Sequence, residues 1–240
     1  MVVYPLLFGV RMSLTDYKTG QWNNFHNFLR ATQDSLFSDA VRAITVYVTF
    51  VIVAEFLLGL ILALVIYHNV KSGWLKALFY FLFLMPLVTP PVAAGVLFRL
   101  MYTPGYGIIN YLLQMVGLIQ KEILWLSQPV PDMFAVISVD VWQWTPFVFF
   151  VFFAGLQAVP KDTVEAAAVD GASGLQRFRW IELPYLRPLM LLVLILRLAD
   201  TFQVFDHVMV LTQGGPGTVT QFLSVYVYKI GFKFLNLNYA

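Results

Sequence analysis

The sequence predicts an all-α, polytopic membrane protein, and three observations carry that prediction. Hydrophobic residues make up 60% of the 240-residue chain and charged residues only 12%, about half the charged share of a soluble domain. Mostly apolar runs of about 18 or more residues recur along it, the length a helix needs to cross a bilayer. Short polar segments separate those runs, and a polar segment held between apolar spans has to leave the hydrocarbon. The formal net charge is +2 with no basic tract, which argues against a nucleic-acid partner. The absence of cysteine removes disulfides, thiolate chemistry and cysteine-based metal sites.

The elements follow in chain order. Residues 1–10, MVVYPLLFGV, are apolar but too short to span, and they lack the basic start and cleavage site of a signal peptide. They read as the second half of a membrane helix. Residues 11–42 are polar and aromatic and predict a loop. Residues 43–67 form a span interrupted by one charge, Glu55, for which the sequence offers no partner. A short polar turn holding Lys71 leads to a second span, 75–100, which Pro86, Pro90 and Pro91 must kink or break. Residues 101–131 read as a turn-rich connection. The third span, 132–156, carries Asp140, Gln143 and Pro146, with Trp142 and Trp144 beside them, and the fourth, 188–211, carries Arg197, Asp200, Gln203 and Asp206. The tail from Thr212 opens with the breaker TQGGPGT and reads as a surface segment rather than a span.

Between the third and fourth spans lies the longest charged interior segment, 158–187, with Lys161, Arg177, Arg179 and Arg187 beside Asp162, Glu165, Asp170 and Glu182. Pro160 suits a helix start, and Glu165, Ala166, Ala167 and Ala168 favour helix. Gly171 can take the left-handed conformation that ends it. Ser173 followed by Gln176 is a capping-box pattern that opens a second short helix, bounded near Pro184. The segment reads as helix, glycine turn, helix at a membrane surface. Residue by residue, an ordinary amphipathic loop helix fits equally well. Lys and Arg are about twice as dense in this segment and the 68–76 turn as in the opposite loops, which leans towards placing both in the cytoplasm.

The spacing of EAA at 165–167, DGA at 170–172, Phe178, Ile181, Leu183, Pro184 and Pro188 resembles the signature loop of permease subunits in ATP-driven, binding-protein-dependent importers of bacteria and archaea. The likeness runs nearly end to end. FLMPLVTPPVAAGVLFRLMYTPGYGIINYLL resembles the family's third span and the loop after it. FDHVMVLTQGGPGTVTQFLSVYVYKIGF resembles the subfamily for sugars and glycerol phosphates, and within it the first permease of a heterodimeric pair of maltose type. The resemblance implies a type I importer permease fold, a six-helix core here lacking half of its first helix and all of its last.

It also implies roles. The helix–turn–helix becomes the segment that docks on a cytoplasmic ATPase, with Glu165, Ala166, Ala167, Asp170, Gly171, Ala172, Ile181, Leu183 and Pro184 as coupling residues. The substrate path would be lined by Asp140, Trp142, Gln143 and Trp144 of one span and Asp200, Gln203 and Asp206 of the next. Carboxylates and amides bond sugar hydroxyls, and indole faces pack on sugar rings. At about 100° per residue, Arg197, Asp200, Gln203 and His207 share an arc of roughly 120°. Arg197 and Asp200 can equally pair as a structural i, i+3 bridge. The implied partners are a second homologous permease, an ATPase dimer, an extracytoplasmic sugar-binding protein and membrane lipid. ATP and magnesium would sit on the ATPase, with no cofactor and no metal on this chain.

The chain is therefore expected to be a non-enzymatic permease subunit that moves a sugar or oligosaccharide across the cell membrane of a bacterium or archaeon. One rival is an importer of glycerol phosphate or another polyol, which Arg197 facing a cavity would favour. A rival of another class is a proton- or cation-coupled carrier with Glu55, Asp140, Asp200 and Asp206 as relay. A third, a non-transporting assembly subunit, draws only on the missing last helix. No GxxxxGK[ST] phosphate loop is present, and His26, His68 and His207 have no ligand spacing.

Overall fold

The computed structural model describes residues 3–16 and 19–240. They form α-helices joined by short turns. Among the described residues there is no strand, and an isolated bridge between Thr15 and Trp22 is the one extended pairing. The helices in order are α1 (Val3–Ser13), α2 (His26–Gln33), α3 (Ser35–Asn69), α4 (Gly73–Val88), α5 (Pro91–Tyr102), α6 (Ile108–Met115), α7 (Pro129–Gln157), α8 (Lys161–Val169), α9 (Gly174–Arg177), α10 (Leu183–Thr201), α11 (Asp206–Leu211) and α12 (Leu223–Tyr228). A π-helical turn, Phe178–Glu182, joins α9 to α10, and another, Lys229–Lys233, follows α12. Among the described residues two helices, α3 and α7, are long and apolar enough to cross a membrane, and α4 with α5 makes a third crossing if the bent pair is one span. At about 1.5 Å per residue α3 is about 52 Å long, well beyond a hydrocarbon core of about 30 Å.

The chain separates into two compact units. The unit that holds the candidate sites comprises Val48–Ala94 and Ile137–Thr201. Its core is aromatic: Phe149, Phe152, Phe153 and Leu156 of α7 pack with Ala63 and Ile66 of α3 and with Leu186 and Val193 of α10, flanked by Phe79, Tyr80 and Phe83 of α4. Gly59 lets α3 approach α7 closely, since a Cβ there would lie 2.7 Å from Val148 Cγ1 and 3.1 Å from the Phe149 nitrogen. Small residues at helix contacts are a common device in membranes, where close van der Waals packing drives association.

The second predicted span is broken outright. α4 and α5 meet at 99°, because two prolines in succession remove two N–H donors and Pro90 keeps Thr89 extended (φ −72°, ψ 125°). The fourth span departs further from its predicted bounds of 188–211. Its helix starts at Leu183 and ends at Thr201, and residues 202–205 turn before α11. No glycine or proline announces this stop. Val204 gives its carbonyl to the Ser224 hydroxyl, a long-range bond that takes the place of helix pairing. α10 is 19 residues long but carries Arg187, Arg197 and Asp200.

The other unit comprises the residues up to Tyr47, Gly95–Val136 and Phe202–Ala240. Two stretches read from sequence as irregular contain helices here, α2 within 11–42 and α6 within 101–131. Asn110 of α6 closes the second stretch on itself: it exchanges two hydrogen bonds with the Ile123 backbone and accepts a third, at 2.8 Å, from the Trp125 indole. Buried Tyr47 meets His207 at 3.3 Å and stacks near Phe222, with centroids 4.5 Å apart. Thr220, fully buried, bonds both Asp132 and the Gly215 carbonyl.

Asp34 starts α3 by accepting the Leu36 N–H at 2.9 Å, and the hydroxyls of Tyr226 and Tyr239 donate to its other oxygen, each at 2.8 Å. Burial works to raise its pKa, but the two tyrosines and the backbone donors outweigh it and hold the carboxyl below its ordinary value of 3.8. A lowered carboxylate contributes stability that is full above the ordinary value and is lost as pH falls through the folded one. The double variant Tyr226→Phe/Tyr239→Phe should therefore lose about 1–2 kcal/mol at neutral pH. Its deficit should shrink on acidification below pH 3.8, read from thermal melts in detergent. Gly59→Val should cost about 1–3 kcal/mol through overpacking against α7 in the same assay.

Candidate functional site

The charged segment forms the element that its residues predict. α8 ends in a Schellman turn: the Ala172 N–H reaches the Ala167 carbonyl at 2.9 Å and the Gly171 N–H reaches Ala168 at 3.2 Å. Gly171 has φ +80°, open to glycine and strained for other residues. Ser173 and Gln176 complete a reciprocal capping box, with bonds of 2.7 and 3.3 Å. The Gly171, Ala172, Ser173 and Gln176 N–H groups thus all find partners within the turn. Glu165, Ala166, Asp170 and Gly171 are exposed; Ala167 and Ala172 are half-buried. Val169, Leu175 and Trp180 are 88, 76 and 72% exposed, an apolar set that this chain leaves uncovered.

One predicted boundary moves. The second helix does not stop near Pro184; it runs through the π-turn into α10 without a break. The Leu183 N–H bonds Phe178 five residues back, and this wider ladder places Pro184 in the first turn of α10, where a missing N–H is tolerated. Ile181 and Leu183 are half-buried and Glu182 is buried. α8–α9 are therefore continuous with α10 through the π-turn.

The unit's buried charges form one node. Glu55 of α3, unpaired in the sequence reading, is fully buried and takes Arg197 of α10 in a fork: Nε–Oε2 at 2.8 Å and Nη2–Oε1 at 2.7 Å. Nη2 also reaches Asp140 of α7 at 3.3 Å, and Nη1 reaches Asp200 at 2.5 Å. The guanidinium carbon lies 4.7 Å from the centre of the Trp144 ring. Arg197 is 1% exposed with four of its five N–H groups engaged. A bidentate Arg–carboxylate pair is the geometry that best offsets burial. The node ties three helices together and leaves no guanidinium face for a phosphate.

The predicted path residues divide accordingly. Asp140 and Trp144 belong to the node, and Asp200 adds a carboxylate whose side chain remains 53% exposed. Gln143 is buried and donates to the Thr89 carbonyl at 2.6 Å, the acceptor freed by the break between α4 and α5. Trp142 is 37% exposed and lines a largely apolar cavity of about 420 Å³ with Leu58, Leu82, Pro86 and Thr145. Gln203 and Asp206 are exposed but lie beyond the end of α10, so the helical arc that grouped Arg197, Asp200, Gln203 and His207 is not formed. The residues missed were the partners of Glu55 and of Glu182. A lone acid in an apolar run signals that a partner exists, but not that it stands 142 positions away.

Apolar helices long enough to cross a membrane, an exposed helix–turn–helix continuous with α10 and paired buried charges fit a transport permease component. Residues 55–231 match the family model described as binding-protein-dependent transport system inner membrane component, and the chain belongs to that family. It is 37% identical over 239 residues to a probable ABC transporter permease protein of Sinorhizobium fredii, covering 97% of this chain and 75% of that protein. It is 40% identical over 196 residues to the trehalose/maltose transport system permease protein MalF of Thermococcus litoralis, covering 81% and 63%. Its fold matches a chain of a bacterial ABC transporter involved in import of the acidic polysaccharide alginate, with TM-score 0.86 at 24% identity over 100% of this chain and 82% of that one.

Removing Arg197 strands two buried carboxylates, whereas Glu55→Gln leaves Arg197 with Asp140 and Asp200. Arg197→Met should therefore cost about 3–5 kcal/mol and Glu55→Gln about 1–3. Melting temperatures of the detergent-solubilised chain should show that order.

Proposed function

We propose that this permease component imports a neutral sugar or oligosaccharide, delivered by an extracytoplasmic binding protein and driven by ATP hydrolysis on a separate subunit. The observation that carries the coupling half is the stiff, exposed helix–turn–helix continuous with α10. Glu165 supplies its outward charge, Ala166 and Ala167 allow close approach, and Val169 and Leu175 enter a cleft of the ATPase on the cytoplasmic side. Asp170, Gly171 and Ala172 hold the turn, and Ile181, Leu183 and Pro184 hand its displacement to α10. A second, homologous permease completes the path, and the assembly sits in the cell membrane of a bacterium or archaeon. ATP and magnesium belong to the ATPase. The relative from Thermococcus litoralis, named as a trehalose/maltose permease, supports a sugar as cargo.

The choice of a neutral sugar over a polyol phosphate rests on Arg197. The phosphate reading wants a guanidinium free to face the path, and this one is buried and held by three carboxylates. The same bonds engage Glu55 and Asp140, two of the acids a proton relay would need. Among the path residues of this unit, Trp142 offers an indole face and Asp200 a half-exposed carboxylate. Asp140, Gln143 and Trp144 act behind them by holding α7.

Glu165→Lys is expected to lower uptake of a radiolabelled disaccharide at least about tenfold, a coupling loss of about 1.4 kcal/mol or more, while the chain stays in the membrane with its partner permease. Normal uptake would remove the coupling assignment. Trp142→Ala should lower uptake about two- to tenfold through loss of ring stacking, with assembly unchanged on gel filtration; unchanged uptake would take Trp142 out of the path.

A further inference from the structure

Glu182, the last residue of the π-turn, is 1% exposed. His68, in the last turn of α3, sets its Nε2 between the two carboxylate oxygens, at 3.1 and 3.3 Å. Among the described residues it is the one hydrogen-bonding partner Glu182 has. The edge of the His68 ring is fixed in turn by Tyr67, with centroids 4.9 Å apart at 79°, and Tyr67 meets Phe153 of the core.

The surroundings show what the pair is for. On its inner side Ile66 and Leu186 belong to the packed core. On its outer side, between the end of α3 and α9, the space is a cavity of about 650 Å³ bordered by Leu64, His68, Gly174, Leu175, Arg177 and Phe178. The pair thus joins the last turn of α3 to the π-turn that follows α9. Only Oε2 makes a hydrogen bond to His68, and Oε1 has none, so parting the pair would leave the buried carboxyl group wholly unpaired.

We propose that His68 and Glu182 are positioning residues that lock the end of α3 to the coupling segment, so that one displacement of α8–α9 drives α3 through the pair as well as α10 through the π-turn. The inference rests on the importer reading above. It gives the segment two outputs: one covalent through the helix, one through the His68–Glu182 hydrogen bond across to α3.

The chain has no cysteine, so a spin-label pair can be installed cleanly at the exposed positions Asn69→Cys and Thr163→Cys. The complex with partner permease and ATPase is purified, and label distances are compared between nucleotide-free and ATP–vanadate-trapped states. Failure of the ATPase to co-purify with the labelled native chain counts against the importer reading itself. In the native complex the distance should be the same in both states. In His68→Ala and Glu182→Gln it should broaden and shift on trapping. The exchange His68→Glu/Glu182→His should restore the native behaviour, an outcome a mere loss of packing would not give. A native distance that shifts on trapping overturns the lock, as does an unchanged one in His68→Ala. If neither single variant assembles, the exchange variant decides alone: a single trapped distance supports the lock, and a broad one overturns it.

Discussion

An ionised side chain at membrane depth has to find its counter-charge inside the protein, because neither lipid nor bulk water will supply one. That constraint organises the unit built from α3, α4, α7 and α10. One arginine, Arg197, gathers Glu55 from α3, Asp140 from α7 and Asp200 from its own helix, with Trp144 over its face. Aromatic packing around Phe149, Phe152 and Phe153 holds these helices together without direction. The node adds direction, since a fork of two hydrogen bonds at 2.7 and 2.8 Å fixes both the depth and the rotation of α10 against α3.

The same rule applied to backbone groups accounts for the two irregular places in the unit. Where prolines break α4 from α5, the freed Thr89 carbonyl is met by Gln143, and the Thr89 hydroxyl returns to Met85 at 2.7 Å. Where the coupling segment joins α10, the π-turn widens the ladder so that Pro184 needs no donor. Both solutions use side chains or registers that a smooth helix would not need. Irregular backbone at such depth persists only where protein satisfies it. Gln143 thereby holds α7 to the break.

What could be read in advance follows the range of the interactions. Gly171, Ser173 and Gln176 act over two to five residues, and their turn and capping box were legible from the sequence because the partners are close in it. The broken second span was legible for the same reason, through Pro86, Pro90 and Pro91. The stop of α10 at Thr201 was not, because no glycine or proline stands at residues 202–205 to mark it. Glu55 showed that a partner had to exist but not which, and Arg197 showed an i, i+3 mate while its stronger partner lay on another helix. α6 escaped notice because Asn110, which anchors it, acts through Ile123 and Trp125 in what reads as loop.

These ranges also divide the labour of the coupling segment. Its stiffness is local, supplied by hydrogen bonds within the turn, so it arrives folded and loses little conformational freedom when it meets a partner. Its outputs are long-range: the π-turn makes it one rod with α10, Arg197 ties that rod to α3 and α7, and His68 closes on Glu182 at the outer end. A rigid input feeding a charge-locked set of helices favours displacement as a body over local bending, because bending at either end would strand a buried carboxylate. The segment's apolar residues Val169, Leu175 and Trp180 are thus exposed, while its acid Glu182 is buried against His68.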